Sequence, residues 1–326
     1  MKRYFKHIPL LLSALIIFNS CDDLLPTGGH TDKNELKNDS ISKLLISDIR
    51  SDSIQSSVEW LQGMGTRYAL SPDHRNVALK VRDRFRRLGY IDAYLDSFYL
   101  SISWRSVPYA FYRYNVVAEL RGSESPDSLM VLGAHYDDIL SAGDPSARAP
   151  GANDNASGVA AMLEVARVMK KAGYRPANTI RFVAFDAEEE GLFGSFAYAS
   201  KLVTSGYSTK LMVNNDMIGV ENSASKTNWY VRVMHYRNSD DITSRATNLC
   251  GRYCYITPAL DTVYNKRSDS YPFYLNSIKT IFFTSGSTDN NYHTLNDLST
   301  NCNFEYCAQV TRISCALLVY SDQKQY

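Results

Sequence analysis

Between residues 115 and 216, short apolar runs alternate with helix-period stretches, and this alternation restricts the possible folds more than any other feature of the chain. Residues 115–120 and 129–134 read as apolar strands separated by a turn at 122–127. Over 159–171, Val159, Met162, Leu163, Ala166 and Met169 share one helical stripe. Residues 179–185 read as a buried strand, 192–202 as a helix and 210–214 as another strand. Strands that alternate with helices predict a three-layer α/β/α sandwich around a mostly parallel central sheet. Two helices come first. One covers about 42–61; the other opens at Ser71-Pro72, places Val77, Val81, Phe85 and Leu88 on one face, and stops at Gly89. There is no internal repeat and no sign of a second domain.

Open α/β sheets bind ligands beyond the carboxyl ends of their strands, and metal-binding side chains fall there. His135 follows the strand ending Gly133-Ala134, Glu188 and Glu189 follow the strand ending at Phe185, and Asp216 closes the strand over 211–214. Asp154 precedes a helix, and His293 lies in a Gly/Ser/Asn-rich loop. None is spaced like a local metal finger, so the fold must bring them together. Each also has an ordinary reading. Asp154 can cap the helix after it, Asp216 can be a turn residue, and Glu188-Glu189-Glu190 can be a solvated run. His7, His30, His74 and His235 are read as ordinary hydrogen-bonding histidines. Other designs are missing from the chain: it has no Gly-x-Ser-x-Gly elbow, no His-Glu-x-x-His helix and no glycine-rich phosphate loop. A net charge of +1 without a long basic run gives no footing for nucleic acid.

Five segments occur in register. They are His135-Tyr136-Asp137, the Pro150-Gly151-Ala152-Asn153-Asp154-Asn155-Ala156-Ser157-Gly158 stretch, Ala187-Glu188-Glu189-Glu190-Gly191-Leu192-Phe193-Gly194-Ser195, Asn215-Asp216-Met217-Ile218-Gly219 and Tyr292-His293-Thr294. Together they resemble the zinc aminopeptidase family that includes bacterial leucyl aminopeptidases and glutamate carboxypeptidases, over about residues 41–320. The resemblance implies the zinc-exopeptidase type of sandwich and two zinc ions. Asp154 would bridge them, with Glu189 and His293 completing one site and His135 and Asp216 the other. Glu188 would be the general base and Asp137 would hold the far side of the His135 ring. Glu190 falls at a variable position, at the surface or behind the site. The implied substrate is a peptide, cut at its N-terminal residue. Glutaminyl cyclases share this fold and work with a single zinc, which gives a rival reading. A non-catalytic surface module is another.

The N-terminus reads as an exported bacterial lipoprotein of the cell envelope. Lys2, Arg3 and Lys6 precede an apolar stretch over 8–18 that is short for a membrane span. Phe18-Asn19-Ser20-Cys21 then resembles a lipobox, with Cys21 as the lipidated membrane anchor. The expected organisation is a signal peptide over 1–20, a polar tether over 21–40 and a zinc peptidase domain over 41–326. In an oxidising compartment Cys250 and Cys254 are spaced for a small-loop disulfide, with a pair of metal-binding thiols as the alternative. Cys302 with Cys307 is a weaker candidate pair, and Cys315 reads as a buried thiol.

Overall fold

The computed structural model describes residues 33–286 and 289–322. The expected signal peptide over 1–20 and Cys21 lie outside the described residues. The stretch expected as one helix is two, α1 (Lys33–Ser47) and α2 (Ser51–Gln62). The break has a local cause: Arg50 is extended (φ −120°, ψ 129°) and its N–H donates to the Glu164 carboxylate at 2.8 Å instead of continuing the helix. Residues 33–40, tether-like in composition, belong to α1. Helix α3 (His74–Arg87) begins after Ser71-Pro72, which form a turn.

The strands are β1 (Tyr94–Trp104), β2 (Val107–Leu120), β3 (Ser125–His135), β4 (Asn178–Phe185), β5 (Ser208–Asn215), β6 (Tyr230–Met234), β7 (Thr257–Asp261) and β8 (Thr280–Thr284). Between them run α4 (Ser157–Lys171), α5 (Phe193–Thr204), α6 (Asp240–Tyr253) and α7 (Ser270–Leu275), and α8 (Phe304–Ser321) closes the domain. The sheet order is β1-β2-β4-β3-β5-β8-β6-β7. Its centre, β4-β3-β5-β8, is parallel. The flanks turn antiparallel where β2 meets β4 and β6 meets β8.

Alternate residues of the central strands feed two cores, as the pleat requires. Met130, Leu132, Ile180, Phe182 and Val213 pack against α1–α4, α6 and α8. Val131, Val183, Phe185 and Met212 pack against α5 and α7. The ribbon of β1 and β2 runs past the carboxyl end of β4, because β2 pairs with β4 only from Val116 to Leu120. At the other end of the sheet, the Asp322 carboxylate after α8 accepts from Ala177 N and Asn178 N, both at 2.8 Å, at the start of β4. The first turns of α1 lie at that same end. Asp39 takes a hydrogen bond from Tyr253 Oη, which contacts Tyr320 Oη, and Glu35 pairs with Arg252.

The Cys250–Cys254 disulfide is not formed. The last turn of α6 sends the two adjacent thiols to different carbonyls, Cys250 Sγ to Ile256 O and Cys254 Sγ to Gln309 O. Cys302 and Cys307 are also unbridged, while Cys315 is buried in α8 as expected. No described helix is long and apolar enough to cross a membrane.

Candidate metal centre

Three adjacent parallel strands, β4, β3 and β5, end side by side, and their carboxyl ends deliver Glu188 and Glu189, His135, and Asp216. Asp154 arrives from the segment leading into α4, and His293 from the connection between β8 and α8. The five expected ligands meet. Asp154 lies between the two histidines: its Oδ1 is 3.2 Å from His135 Nε2, and its Oδ2 is 3.0 Å from His293 Nε2. His135 Nε2 is also 3.3 Å from Asp216 Oδ1, and His293 Nε2 is 3.0 Å from Glu189 Oε1. His135, Asp154 and Asp216 therefore offer donor atoms within 4.8 Å of one another, and so do Asp154, Glu189 and His293. Glu188 reaches a third such grouping, with His135 and Glu189. That grouping draws one member from each of the other two, so Glu188 stands against both sets.

Backbone contacts hold these side chains in place. Both carboxylate oxygens of Asp137 accept backbone N–H groups, from Glu188 at 3.2 Å and Glu189 at 3.1 Å, and its Oδ1 lies 3.6 Å from His135 Nδ1. One aspartate thus ties the end of β3 to the end of β4. Asn155 Oδ1 accepts from Gly158 N and Met217 N, and Asn153 Oδ1 from Gly219 N, which ties the Asp154 segment to the end of β5. Asp154 does not cap α4 with its side chain. Ala187, Met217 and His293 all have positive φ, at 55°, 54° and 55°. Left-handed backbone of this kind costs about 1–3 kcal/mol per residue and persists only where the surroundings enforce it.

Carboxylates outnumber cations here. Among the described residues no Lys or Arg forms an ion pair with Asp137, Asp154, Glu188, Glu189, Asp216 or Asp269. Burial, then the charge of Asp154, pushes Glu189 up to about 8. Burial likewise pushes Glu188 well above the usual carboxylate range. Burial works against a charged His293, yet its hydrogen bonds to Asp154 and Glu189 raise it to about 10. His135 is raised against burial by Glu188 and Asp216. Two imidazoles and a crowd of buried carboxylates, with no Lys or Arg ion-paired to them, fit divalent cations held by nitrogen and oxygen donors.

The sequence had left several supporting residues unmarked. Ser268 Oγ donates to Asp216 Oδ2 at 2.6 Å and accepts from Asn214 Nδ2 at 2.6 Å. Its neighbour Asp269 is fully buried, and burial raises it to about 7. Asp297 accepts from Asn153 N and Asp154 N at 2.7 and 3.0 Å, and so fixes the ligand's backbone. Neither Ser268-Asp269 nor Asp297 follows a strand in the sequence pattern, so nothing local marked them. Glu190 is buried rather than at the surface, beside Asp137 and Glu189, and belongs to none of the ligand groupings. His74 is an ordinary buried partner, 2.6 Å from Asp186 and stacked on Tyr136. His235 meets the exposed Asp240. His7 and His30 lie outside the described residues. The site opens into a cleft of about 330 Å³, with Met217, Tyr264, Arg267, Phe282 and Tyr292 among its walls. The Tyr292 ring stacks on His293 at 3.7 Å.

Known proteins resemble this chain in sequence and in fold. The model of peptidase family M28 matches residues 115–318, more than half of the chain. A probable zinc metalloprotease from Pyrenophora tritici-repentis is 30% identical over 233 residues, which is 64% of this chain and 50% of that protein. Another from Pyrenophora teres f. teres is 32% identical over 220 residues, 60% and 44% of the two chains. The chain spans about half the length of the curated relatives it matches. Among solved structures, the LapA aminopeptidase of Legionella pneumophila superposes with a TM-score of 0.73 at 21% identity, covering 88% of this chain and 76% of that one. A glutaminyl cyclase from Bacteroides thetaiotaomicron gives 0.68 at 20% identity, covering 85% and 99%. At such identities the likeness concerns the fold. With the family model matching residues 115–318, which include the ligand-bearing strands, the chain belongs to peptidase family M28.

Proposed function

We propose that this protein is a zinc-dependent aminopeptidase with two ions per chain. The observation that carries this reading is Asp154, whose two carboxylate oxygens face two separate ligand sets while Glu188 stands free beside both. Asp154, His135 and Asp216 would hold one ion, and Asp154, Glu189 and His293 the other. Zinc bound there supplies Lewis-acid polarisation of the substrate carbonyl and lowers the pKa of the attacking water. Glu188 takes a proton from that water as its oxygen bonds to the carbonyl carbon. It then passes the proton to the departing amine nitrogen as the C–N bond breaks. Asp137 keeps His135 oriented and fixes the backbone of both glutamates. The walls of Phe282, Met217 and Tyr292 would exclude water from the first side chain of the peptide. We further propose that the chain is exported and held at a membrane by a lipid on Cys21, a reading supported by the leader residues.

The test is zinc counting on the pure protein, together with assays on aminoacyl amides and on peptides with N-terminal glutamine. Two zinc ions with release of N-terminal residues support the proposal. One zinc with conversion of N-terminal glutamine to pyroglutamate overturns it in favour of a cyclase. Full metal loading without turnover of either substrate overturns it in favour of a non-catalytic module.

A further inference from the structure

Arg267 lines the same cleft as the metal ligands, yet it touches none of them in an ion pair. The cleft is rich in acids, but among the described residues no carboxylate neutralises this guanidinium. Asp289, which also lines the cleft, is engaged elsewhere: its Oδ2 accepts from Asn153 Nδ2 and its Oδ1 from Asn291 N, both at 2.8 Å.

The base of the Arg267 side chain is fixed. Arg267 N donates to Tyr264 O at 2.9 Å and closes a turn. The next residue, Ser268, is fully buried and bonded to the ligand Asp216. The guanidinium lies over the Tyr264 ring, 5.8 Å from its centroid. An exposed arginine is ordinarily a solvated charge. This one is anchored one residue from Ser268, lies over an aromatic ring and lines a cleft together with Met217, Phe282 and Tyr292. A guanidinium presents a planar fork of donors that matches a carboxylate with two parallel hydrogen bonds.

We propose that Arg267 is a specificity-determining residue that binds a carboxylate of the substrate. The inference rests on the peptidase reading for its substrate class, which becomes peptides with a carboxylate close to the scissile bond. That group comes from one of two sources, the terminal carboxylate of a dipeptide or the side chain of an N-terminal Asp or Glu.

The experiment measures kcat/KM on paired substrates for the zinc-loaded wild type, Arg267→Met and Arg267→Lys. Leucylglycine against its C-terminal amide tests the first source. Glutamyl against glutaminyl anilide tests the second. The wild type should prefer the acid in one pair by about tenfold or more, the scale of one charge-assisted fork. Arg267→Met should erase that preference, and Arg267→Lys, which keeps the charge without the fork, should restore part of it. Absence of an acid preference in both pairs, or the same preference in Arg267→Met, overturns the proposal. Calorimetric binding of leucylglycine, glutamic acid α-anilide and their amides to zinc-loaded Glu188→Gln, with Arg267 intact or replaced by Met, gives a readout independent of turnover. Arg267-dependent preference in binding without hydrolysis by the wild type would leave this inference standing and remove the peptidase reading. Hydrolysis without that preference would do the reverse.

Discussion

Glu188 and Glu189 are neighbours in sequence but face the ligand cluster differently. Glu189 Oε1 meets His293 Nε2 at 3.0 Å, whereas neither histidine Nε2 forms an ion pair with Glu188. Changing Glu188 or a ligand carboxylate such as Asp154 to its amide should therefore give different losses. Glu188→Gln keeps the shape and removes the proton acceptor. Zinc content should stay at the wild-type ratio while kcat falls by about 10²- to 10⁴-fold. Asp154→Asn removes a charge shared by two ligand sets, and zinc per chain should drop on gel-filtered protein. Metal analysis beside kinetics checks both. A Glu188→Gln protein near wild-type activity would end the proton-transfer role.

At the scale of elements, the site depends on how closely α4 approaches the end of β5. Gly158 lies in the first turn of α4, and a Cβ there would come within 2.3 Å of Asn215 O and 2.4 Å of Asn155 Oδ1. Gly158→Ala should push α4 off the end of β5 and carry Asp154 with it. The expected outcome is weaker zinc binding and a lower midpoint of denaturant unfolding, and unchanged values of both would refute the tight-approach argument. The elements that were legible in sequence have continuous buried faces. Thr179 to Phe185 of β4 are buried on both sides, so the apolar run alone gave both the strand and the place where Glu188 and Glu189 emerge. The β1–β2 ribbon was not legible beyond residues 115–120, because its outer face, with Tyr99 and Tyr112, is exposed and breaks the apolar pattern. The short strands β6, β7 and β8 gave too few residues to show a period. Ser268 and Asp297 were missed because their positions come from tertiary hydrogen bonds to Asp216 and the Asp154 segment, not from any local spacing, and Asp269 because nothing local marks its burial beside Ser268.

At the scale of the whole molecule, the proposed ions would join segments drawn from distant parts of the chain, from His135 to His293. Binding only the folded state adds stability of about 2.7 kcal/mol at a ligand concentration a hundred times Kd. Chelation followed by calorimetry should therefore lower Tm by about 5–10 °C, and added zinc should restore it. A Tm indifferent to the chelator would count against resident metal. The same geometry bears on where substrates come from. The first turns of α1 sit at the strand-start end of the sheet, where Asp322 clasps β4, while the cleft opens at the strand-finish end. A chain tethered upstream of Lys33 is thus held by its foot. Under the proposed lipid anchor on Cys21, the cleft would lie at the end of the sheet away from the point where the chain enters α1.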